Sequence, residues 1–314
     1  METIYPLSGE RAGNRPSSFG RRGPGELLDQ VFSLYRRGFR TFLAVTAVLL
    51  IPIAILSLVQ RELGEHPAAS AVLILNGVLS LVYGVIVPAA TCLVATALLR
   101  GQSLSPGAAY RQARGRFWPL VRLGLLRYVI LVLAAIMASF AFLPLALVSM
   151  LVGGWVFVPG IAAMAAAGIF FLLRWSLAEP ALLFETDLTA RKSLGRSVRL
   201  TDGAMRRILV VLGAISLITI VLNLVIQVTG YAVTGELRAL LDAAGGGQLP
   251  NALAGLAKSH GLRADVVLSL FTTTGSVLLA PFTGIAQAVL YFTQRSDREG
   301  ADLLAEAEVV GEAA

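Results

Sequence analysis

Long hydrophobic stretches separated by short polar segments define the pattern along this chain. A helix needs about 20 apolar residues to span ~30 Å of hydrocarbon. Six windows come close to or exceed that length, and they cover residues 42–59, 68–99, 123–143, 158–178, 208–228 and 266–293. The pattern therefore predicts an all-α, polytopic integral membrane protein with six transmembrane helices.

Prolines mark predicted boundaries and breaks in these windows. Pro144 is predicted to end the third helix and Pro180 the fourth, with residues 144–159 forming a short turn between them. Pro281 lies in the middle of the sixth window, where its missing N–H frees a carbonyl that we expect near Thr283. Pro281 is therefore a candidate hinge, since broken helices line binding sites in transporters.

A run of small residues at 160–168 distinguishes the fourth window. Small side chains let the backbones of neighbouring helices approach closely in a membrane. We therefore predict that the fourth helix is the central one, the most surrounded by protein.

A short basic segment precedes the first, third and fifth windows. In each segment the pattern is typical of an amphipathic helix lying at the membrane interface. The three segments are residues 24–39, 105–118 and 188–200, and their starts, taken at Pro24, Ser105 and Asp187, lie 81 and 82 residues apart. This spacing favours three repeats of an interfacial helix plus a helical hairpin. The alternative is that the segments are ordinary basic loops of a polytopic protein.

The distribution of Lys and Arg predicts the orientation. Of 26 such residues, 21 lie in the N-terminal segment, the second and fourth connections and the C-terminal tail. Four lie in the first and fifth connections, and Arg174 lies inside a helix. Because basic connections stay in the cytoplasm, both termini are predicted to be cytoplasmic, in the bacterial cytoplasmic (inner) membrane.

Composition excludes an ordinary soluble protein. The chain is 56% hydrophobic and 14% charged, whereas soluble domains carry roughly 25% charged residues. The net charge of +7 comes from arginines between apolar runs, so anionic lipid headgroups are the expected partners rather than nucleic acid. A membrane-protein partner is a further candidate.

The predicted organisation has three parts. Residues 1–23 form a disordered basic segment, 24–303 the six-span membrane domain, and 304–314 a flexible tail. The connection at 229–264 is the only long external one; we favour a solvated loop over a lid there.

Several segments resemble the bacterial glycerophosphoryl diester phosphodiesterase membrane-domain family, a group of multi-span proteins largely without assigned function. The resemblance covers residues 25–303, and the segments that carry it are 26–37, 174–185, 190–203, 281–282 and 290–303. In phosphodiesterases of this kind, paired histidines and metal-binding carboxylates belong to a separate soluble barrel domain. This chain has two histidines, His66 and His260, in separate connections. The resemblance therefore implies a membrane module and not an esterase, with no catalytic, metal-binding or cofactor-binding residues.

Polar residues at membrane depth are the remaining candidates. They comprise four amides and three charged side chains: Asn76, Asn223, Gln227, Gln287, Arg174, Glu179 and Glu185. The amides could line a polar cavity, but amides that tie helices together are commoner. Glu179 and Glu185 are candidate partners of Arg174, and we favour a structural interfacial network over an ion or proton site.

The leading functional hypothesis is a non-enzymatic membrane protein that interacts with lipids or acts as a scaffold. The alternative is a transporter of small molecules or lipids. A water-accessible cavity reaching Asn223 or Gln287 would favour transport, whereas a solid core would favour the scaffold.

Overall fold

The computed structural model describes residues 23–64, 66–152, 157–185, 188–235 and 262–312. Every regular element in these ranges is an α-helix, which confirms the predicted all-α class. In chain order the helices are α1 (Pro24–Arg37), α2 (Phe39–Leu63), α3 (Ala68–Leu99), α4 (Pro106–Gly115), α5 (Phe117–Val152), α6 (Phe157–Arg174), α7 (Ala178–Phe184), α8 (Ala190–Thr201), α9 (Met205–Thr234), α10 (Leu262–Leu279) and α11 (Pro281–Glu312).

Six helical segments in the described ranges are long and apolar enough to cross a membrane, as the hydropathy pattern predicts. They are Phe39–Leu63, Ala68–Leu99, Phe117–Ala134, Pro159–Phe184, Met205–Thr234 and Arg263–Arg298. The second coincides with the predicted window. The last joins α10 and α11 across the break at Ala280.

The predicted helix end at Pro144 is wrong. α5 continues through this proline to Val152, and α6 begins at Phe157, so the turn predicted at 144–159 is also wrong over most of its length. Proline removes one backbone hydrogen bond, which apolar helices tolerate when neighbouring groups keep the rest of the backbone satisfied. The apolar sequence on both sides of Pro144 thus sustains one helix.

Pro180 does not end a helix either. α6 ends earlier, at Arg174, and α7 begins at Ala178, which places Pro180 in the first turn of α7. The N–H groups of a first turn have no intrahelical acceptor, so proline costs little there. α7 is thus a separate helix, and most of its residues are buried.

The predicted order of a short helix followed by a pair of long helices occurs three times. The short helices α1, α4 and α8 precede the long pairs α2–α3, α5–α6 and α9–α10. Two of them start at a side-chain cap, where Ser105 accepts from the Ala108 N–H (3.3 Å) and Thr189 from the Lys192 N–H (3.5 Å). Such caps satisfy backbone donors that helix starts leave unpaired.

The hydrophobic core lies at one end of the bundle, which we call the basic end because α1, α4 and α8 lie there. The buried residues of α3 are confined to the segment 86–96, in its second half. α3 and α11 approach each other very closely at Gly284, where an added Cβ would lie 2.1 Å from Thr91 Oγ1 and 3.2 Å from the Pro88 oxygen. We call the other end of the bundle the opposite end.

The prediction that the fourth helix is central is wrong. Among the α6 residues whose side chains are described, only Gly160 is buried, and residues 161–167 are exposed. In the most apolar window of each spanning segment, 44% of the residues are buried for α3 but 22% for Pro159–Phe184. Small residues permit close packing but contribute little buried area, so they do not by themselves draw a helix into the core.

Several predicted boundaries fall at or beyond the limits of the described residues. The N-terminal segment lies outside the described residues up to position 22, as does most of the external connection, from 236 to 261. α11 continues past the predicted domain end at 303 to Glu312. The flexibility of 304–314 stays a prediction.

Candidate functional site

The short helix α7 places two carboxylates at the basic end. α7 is enclosed by α3, α5, α8 and α11, and five of its seven residues are buried. Glu179, in its first turn, accepts from Arg127 Nη1 at 2.6 Å. The other terminal nitrogen of Arg127 donates to the Trp175 carbonyl in the break before α7. One arginine of α5 thus fixes the start of α7.

The other end of α7 is fixed by three helices. Glu185 Oε1 accepts from Arg196 Nε of α8 and from the Tyr291 hydroxyl of α11, both at 2.9 Å. Arg116, which caps α4, donates to the carbonyls of Leu182 (3.2 Å) and Glu185 (3.4 Å). This arrangement orders the helix end, and it leaves the Glu185 carboxylate committed to structural partners.

The two glutamates are therefore not the partners of Arg174. The Arg174 guanidinium lies over the Phe170 ring, 5.7 Å from its centroid, and the Arg174 carbonyl accepts from Ser197 Oγ at 2.8 Å. Sequence reasoning missed Arg127 as the partner of Glu179. A signal was available, because a charge beside an apolar helix is costly unless it is paired.

The four amides have different surroundings. Asn76 Nδ2 donates to Ser57 Oγ at 3.0 Å and so ties α3 to α2, which is the structural use that we favoured. Gln227 Nε2 donates to Asn223 Oδ1 at 2.5 Å, as their spacing of four predicts. Gln287 is half-buried on α11 and apart from this pair.

One of the amides lines an open cleft of about 350 Å³ at mid-height in the bundle. The cleft lies between α3, α9 and the break that joins α10 to α11, and its lining residues are Tyr83, Thr219, Ile220, Asn223, Ser276, Leu279, Ala280 and Thr283. It thus brings Asn223 to the break beside Pro281, while Gln227, Gln287 and Asn76 are not among its lining residues. We call it the Asn223 cleft.

The helix break itself is held in place by hydrogen bonds. The carbonyls of Val277 and Leu278, one turn before Pro281, lie 3.0 Å from Thr46 Oγ1 and 2.9 Å from the Tyr35 hydroxyl. The expectation of a freed carbonyl near Thr283 is wrong, because an α-helical N–H bonds to the carbonyl four residues earlier. The break has its own partners, and hinge motion at Pro281 stays a prediction.

The chemistry available in the cleft is that of hydroxyl and amide groups. Thr219 Oγ1 lies 2.9 Å from the Ile215 carbonyl of its own helix, and the Asn223 carbonyl oxygen is bonded to Gln227. In the described ranges, no group of three or more His, Cys, Asp and Glu side chains could hold a metal ion. The cleft can therefore offer hydrogen bonds to the polar part of a ligand.

Comparisons with other proteins do not identify a family. No family model, curated protein or solved structure matches the chain. Functional inference therefore depends on the geometry and charge of the described residues.

Proposed function

We propose that this chain is a non-enzymatic, multi-pass protein of the bacterial cytoplasmic membrane that binds a lipid or a similar amphiphile in the Asn223 cleft. The observation that carries the proposal is the position of this cleft. Its polar groups lie at mid-height in an apolar helical bundle, and it is an open cleft lined by α3, α9 and the break in the sixth span.

The surroundings of the cleft suit a ligand with both polar and apolar parts. Ile220, which lines the cleft, is 64% exposed, and its neighbour Leu217 on α9 is 63% exposed. In a bilayer such side chains contact acyl chains. A lipid-borne molecule can therefore keep its chains in the hydrocarbon while its polar group reaches Asn223 or Ser276.

The proposed orientation places the basic end in the cytoplasm. It is supported by the concentration of arginines in the connections that carry α1, α4 and α8. Both chain termini would then be cytoplasmic. Anionic lipid headgroups are the proposed partners of the exposed arginines, and a membrane-protein partner would dock on the same face.

Membership of the glycerophosphoryl diester phosphodiesterase membrane-domain family is a second part of the proposal. Its support is that motif segments distant in sequence meet in the structure. Glu185 from the segment 174–185 contacts Arg196 from 190–203 and Tyr291 from 290–303. Motifs that form one bonded cluster are more specific than motifs scattered along the chain.

Transport of a small molecule or lipid is the alternative function. The observation that favours it is that Leu279 and Ala280, at the helix break, line the Asn223 cleft. Broken helices border the binding sites of many transporters. A ligand bound there would contact this break directly.

Native mass spectrometry of gently extracted protein tests lipid binding. Asn223→Phe fills the cleft, and Leu224→Phe is the matched control, with the same substitution at the next residue of α9. We expect the wild type and Leu224→Phe to retain one tightly bound lipid that Asn223→Phe loses. Identical lipid retention in all three proteins would contradict the proposal, and a retained protein partner would favour the scaffold.

A flux assay separates binding from transport. Proteoliposomes containing a fluorescent phospholipid are treated with an impermeant quencher, and the rate of lipid exchange between leaflets is measured. Exchange that is faster for the wild type than for Asn223→Phe would favour the transporter. Exchange equal to that of protein-free vesicles would favour binding alone.

A further inference from the structure

A second cavity lies at the basic end, away from the Asn223 cleft. Its volume is about 710 Å³, within the range of roughly 300–1,000 Å³ that is usual for small-molecule sites. The cavity is open to solvent and is lined by the start of α1, the turn that joins α8 to α9, the first turns of α9 and the last part of the sixth span. We call it the Gln294 pocket.

Within the part of the chain that the structure describes, three buried donor atoms without partners belong to Gln294 and Arg207, two residues that line this pocket. The Gln294 side chain is 2% exposed, and its Nε2 has no hydrogen-bond partner among the described residues. Arg207 is 17% exposed and uses Nη1 to bind Asp297 Oδ2 at 2.7 Å. Its Nε and Nη2 are also buried and have no partner in the same ranges. A buried donor left unsatisfied is costly, so these atoms indicate a ligand that accepts hydrogen bonds.

The start of α9 adds further donors. Ala204, at the N-cap, makes no side-chain capping bond, and the first turn of this 30-residue helix contains no acidic residue. The first N–H groups of a helix have no intrahelical acceptor. Together with the helix dipole they favour an anion at this position.

The charged side chains around the pocket also favour an anion. Arg206, Arg207 and Arg298 line it with two aspartates. Asp297 is neutralised by Arg207, and Arg298 donates to the main-chain carbonyl of Asp202, whose side chain is exposed. Three cations against two carboxylates leave a positive pocket.

We propose that the Gln294 pocket binds a phosphate group. The neighbouring Nε and Nη2 of Arg207 form one edge of the guanidinium, which suits two oxygens of the same anion. Gln294 of α11 and the first N–H groups of α9 approach from other elements. Donors from several directions suit a tetrahedral phosphate better than a planar carboxylate.

The phosphate could belong to a phospholipid headgroup or to a free cytoplasmic anion. Val210, which lines the pocket one turn further along α9, is 43% exposed, so the pocket borders the apolar surface of the bundle. The inference rests on the proposed membrane placement of the chain. It does not depend on ligand binding in the Asn223 cleft.

The test uses purified full-length protein in a detergent without phosphate groups. Three probes are added separately: inorganic phosphate, phosphatidylglycerol and phosphate-free diacylglycerol. The shift of the thermal unfolding midpoint is measured against probe concentration, and native mass spectrometry identifies what stays bound. The variants are Gln294→Leu, which removes the buried donor, and Arg206→Gln, which removes an exposed pocket cation. Arg199→Gln, at an exposed position on α8 outside the pocket, is the charge-matched control.

We expect phosphatidylglycerol, inorganic phosphate or both to stabilise the protein, and diacylglycerol to have no effect. A response to both probes or to inorganic phosphate alone identifies a free anion as sufficient, and a response to phosphatidylglycerol alone identifies a headgroup. Gln294→Leu and Arg206→Gln should weaken apparent affinity by about tenfold or more, since bonds to charged ligands are strong. Arg199→Gln should change it less than about twofold.

Three results would overturn the proposal. They are the absence of any response to the phosphate-bearing probes, an unchanged affinity in folded Gln294→Leu, and equal weakening by Arg199→Gln and Arg206→Gln. If Gln294→Leu does not fold, the last comparison decides. Asn223→Phe should bind the probes normally, so failure of the cleft proposal and failure of this one are distinguishable.

Discussion

The two ends of the bundle differ sharply in packing, as the two halves of α3 show, although both halves are apolar in sequence. At the basic end, residues 86–96 of α3 contain nine buried side chains, and Gly284 brings α11 against Thr91. In the first half of α3, residues 68–85, no residue is buried, and Leu73 and Ile74 are largely exposed. The helices thus form a closed core at one end and pack less closely toward the other.

This difference shows what hydrophobicity does in a membrane protein. Lipid tails are as apolar as leucine, so an apolar side chain gains little by contacting protein instead of lipid. Helices are held together where close backbone contacts, hydrogen bonds and ion pairs are available. Those features are concentrated at the basic end, and the Asn223 cleft lies where they stop.

The largest effect is expected at the contact between α3 and α11. Gly284→Ala places a methyl group against Thr91, and overpacking of this kind costs about 1–3 kcal/mol. Gly77→Ala, in the open half of α3, meets nothing within 4 Å and should not destabilise the protein, because alanine is favoured over glycine by about 0.5–1 kcal/mol in a helix interior. Thermal unfolding in detergent measures both. Equal destabilisation would remove the distinction between the two ends.

The second-largest difference is expected between the coupling energies of ion pairs at the two ends. Arg127–Glu179 is 2.6 Å long with both side chains mostly buried, whereas Arg61–Asp265 at the opposite end is 3.3 Å long with Arg61 57% exposed. Double-mutant cycles should give a coupling of about 1–2 kcal/mol for the first pair and about 0.5 kcal/mol or less for the second, which water screens. A stronger coupling at Arg61 would reverse the comparison.

A smaller effect is expected from one hydroxyl that holds the helix break. Tyr35→Phe removes the bond to the Leu278 carbonyl, and the loss should be about 1 kcal/mol. Tyr231→Phe, in the last turn of α9 at the opposite end of the bundle, is the matched control. Chemical unfolding of both variants provides the measurement, and a larger loss for Tyr231 would be the contrary outcome.

The last prediction is a pH dependence at α4, which has no effect on stability at neutral pH. The Tyr110 hydroxyl donates to the Val45 carbonyl, and burial, with a smaller effect of Tyr83, raises the pKa of Tyr110 to about 12. The unfolded pKa is about 10. The protonated hydroxyl therefore stabilises the fold fully below pH ~10, and this contribution is lost as the pH rises through ~12. Tyr110→Phe should show a shallower decline in stability over that interval, and an unchanged decline would contradict the assignment.

Hydrophobic periodicity predicted the elements well and their packing poorly. The window at 68–99 coincides with α3, and the three amphipathic segments are helices, because window length and capping residues act locally. The exposure of residues 161–167 on α6 could not be predicted from the hydrophobic pattern. Which face of an apolar helix meets protein depends on residues far away in sequence.

Among the candidate residues, contacts within one helix were predictable from the sequence, and contacts between distant segments were not. The contact between Asn223 and Gln227 follows from a spacing of four in one helix. Arg127 and Glu179, in contrast, are 52 positions apart and meet because α7, which carries Glu179, packs against α5. The Gln294 pocket joins the start of α1 to the sixth span. No local pattern indicates that proximity.

Labelling from the two sides of the membrane tests the central claim most directly. Single cysteines are placed, in a Cys92→Ala background, at the exposed positions Ser103 and Thr189 of the basic end and at Glu62 and Ser70 of the opposite end. An impermeant maleimide is then added to intact spheroplasts or to inverted vesicles. Ser103 and Thr189 should react only in inverted vesicles, and Glu62 and Ser70 only in spheroplasts. Reaction of both pairs from the same side would contradict the six-span topology and the membrane placement of the two proposed binding sites.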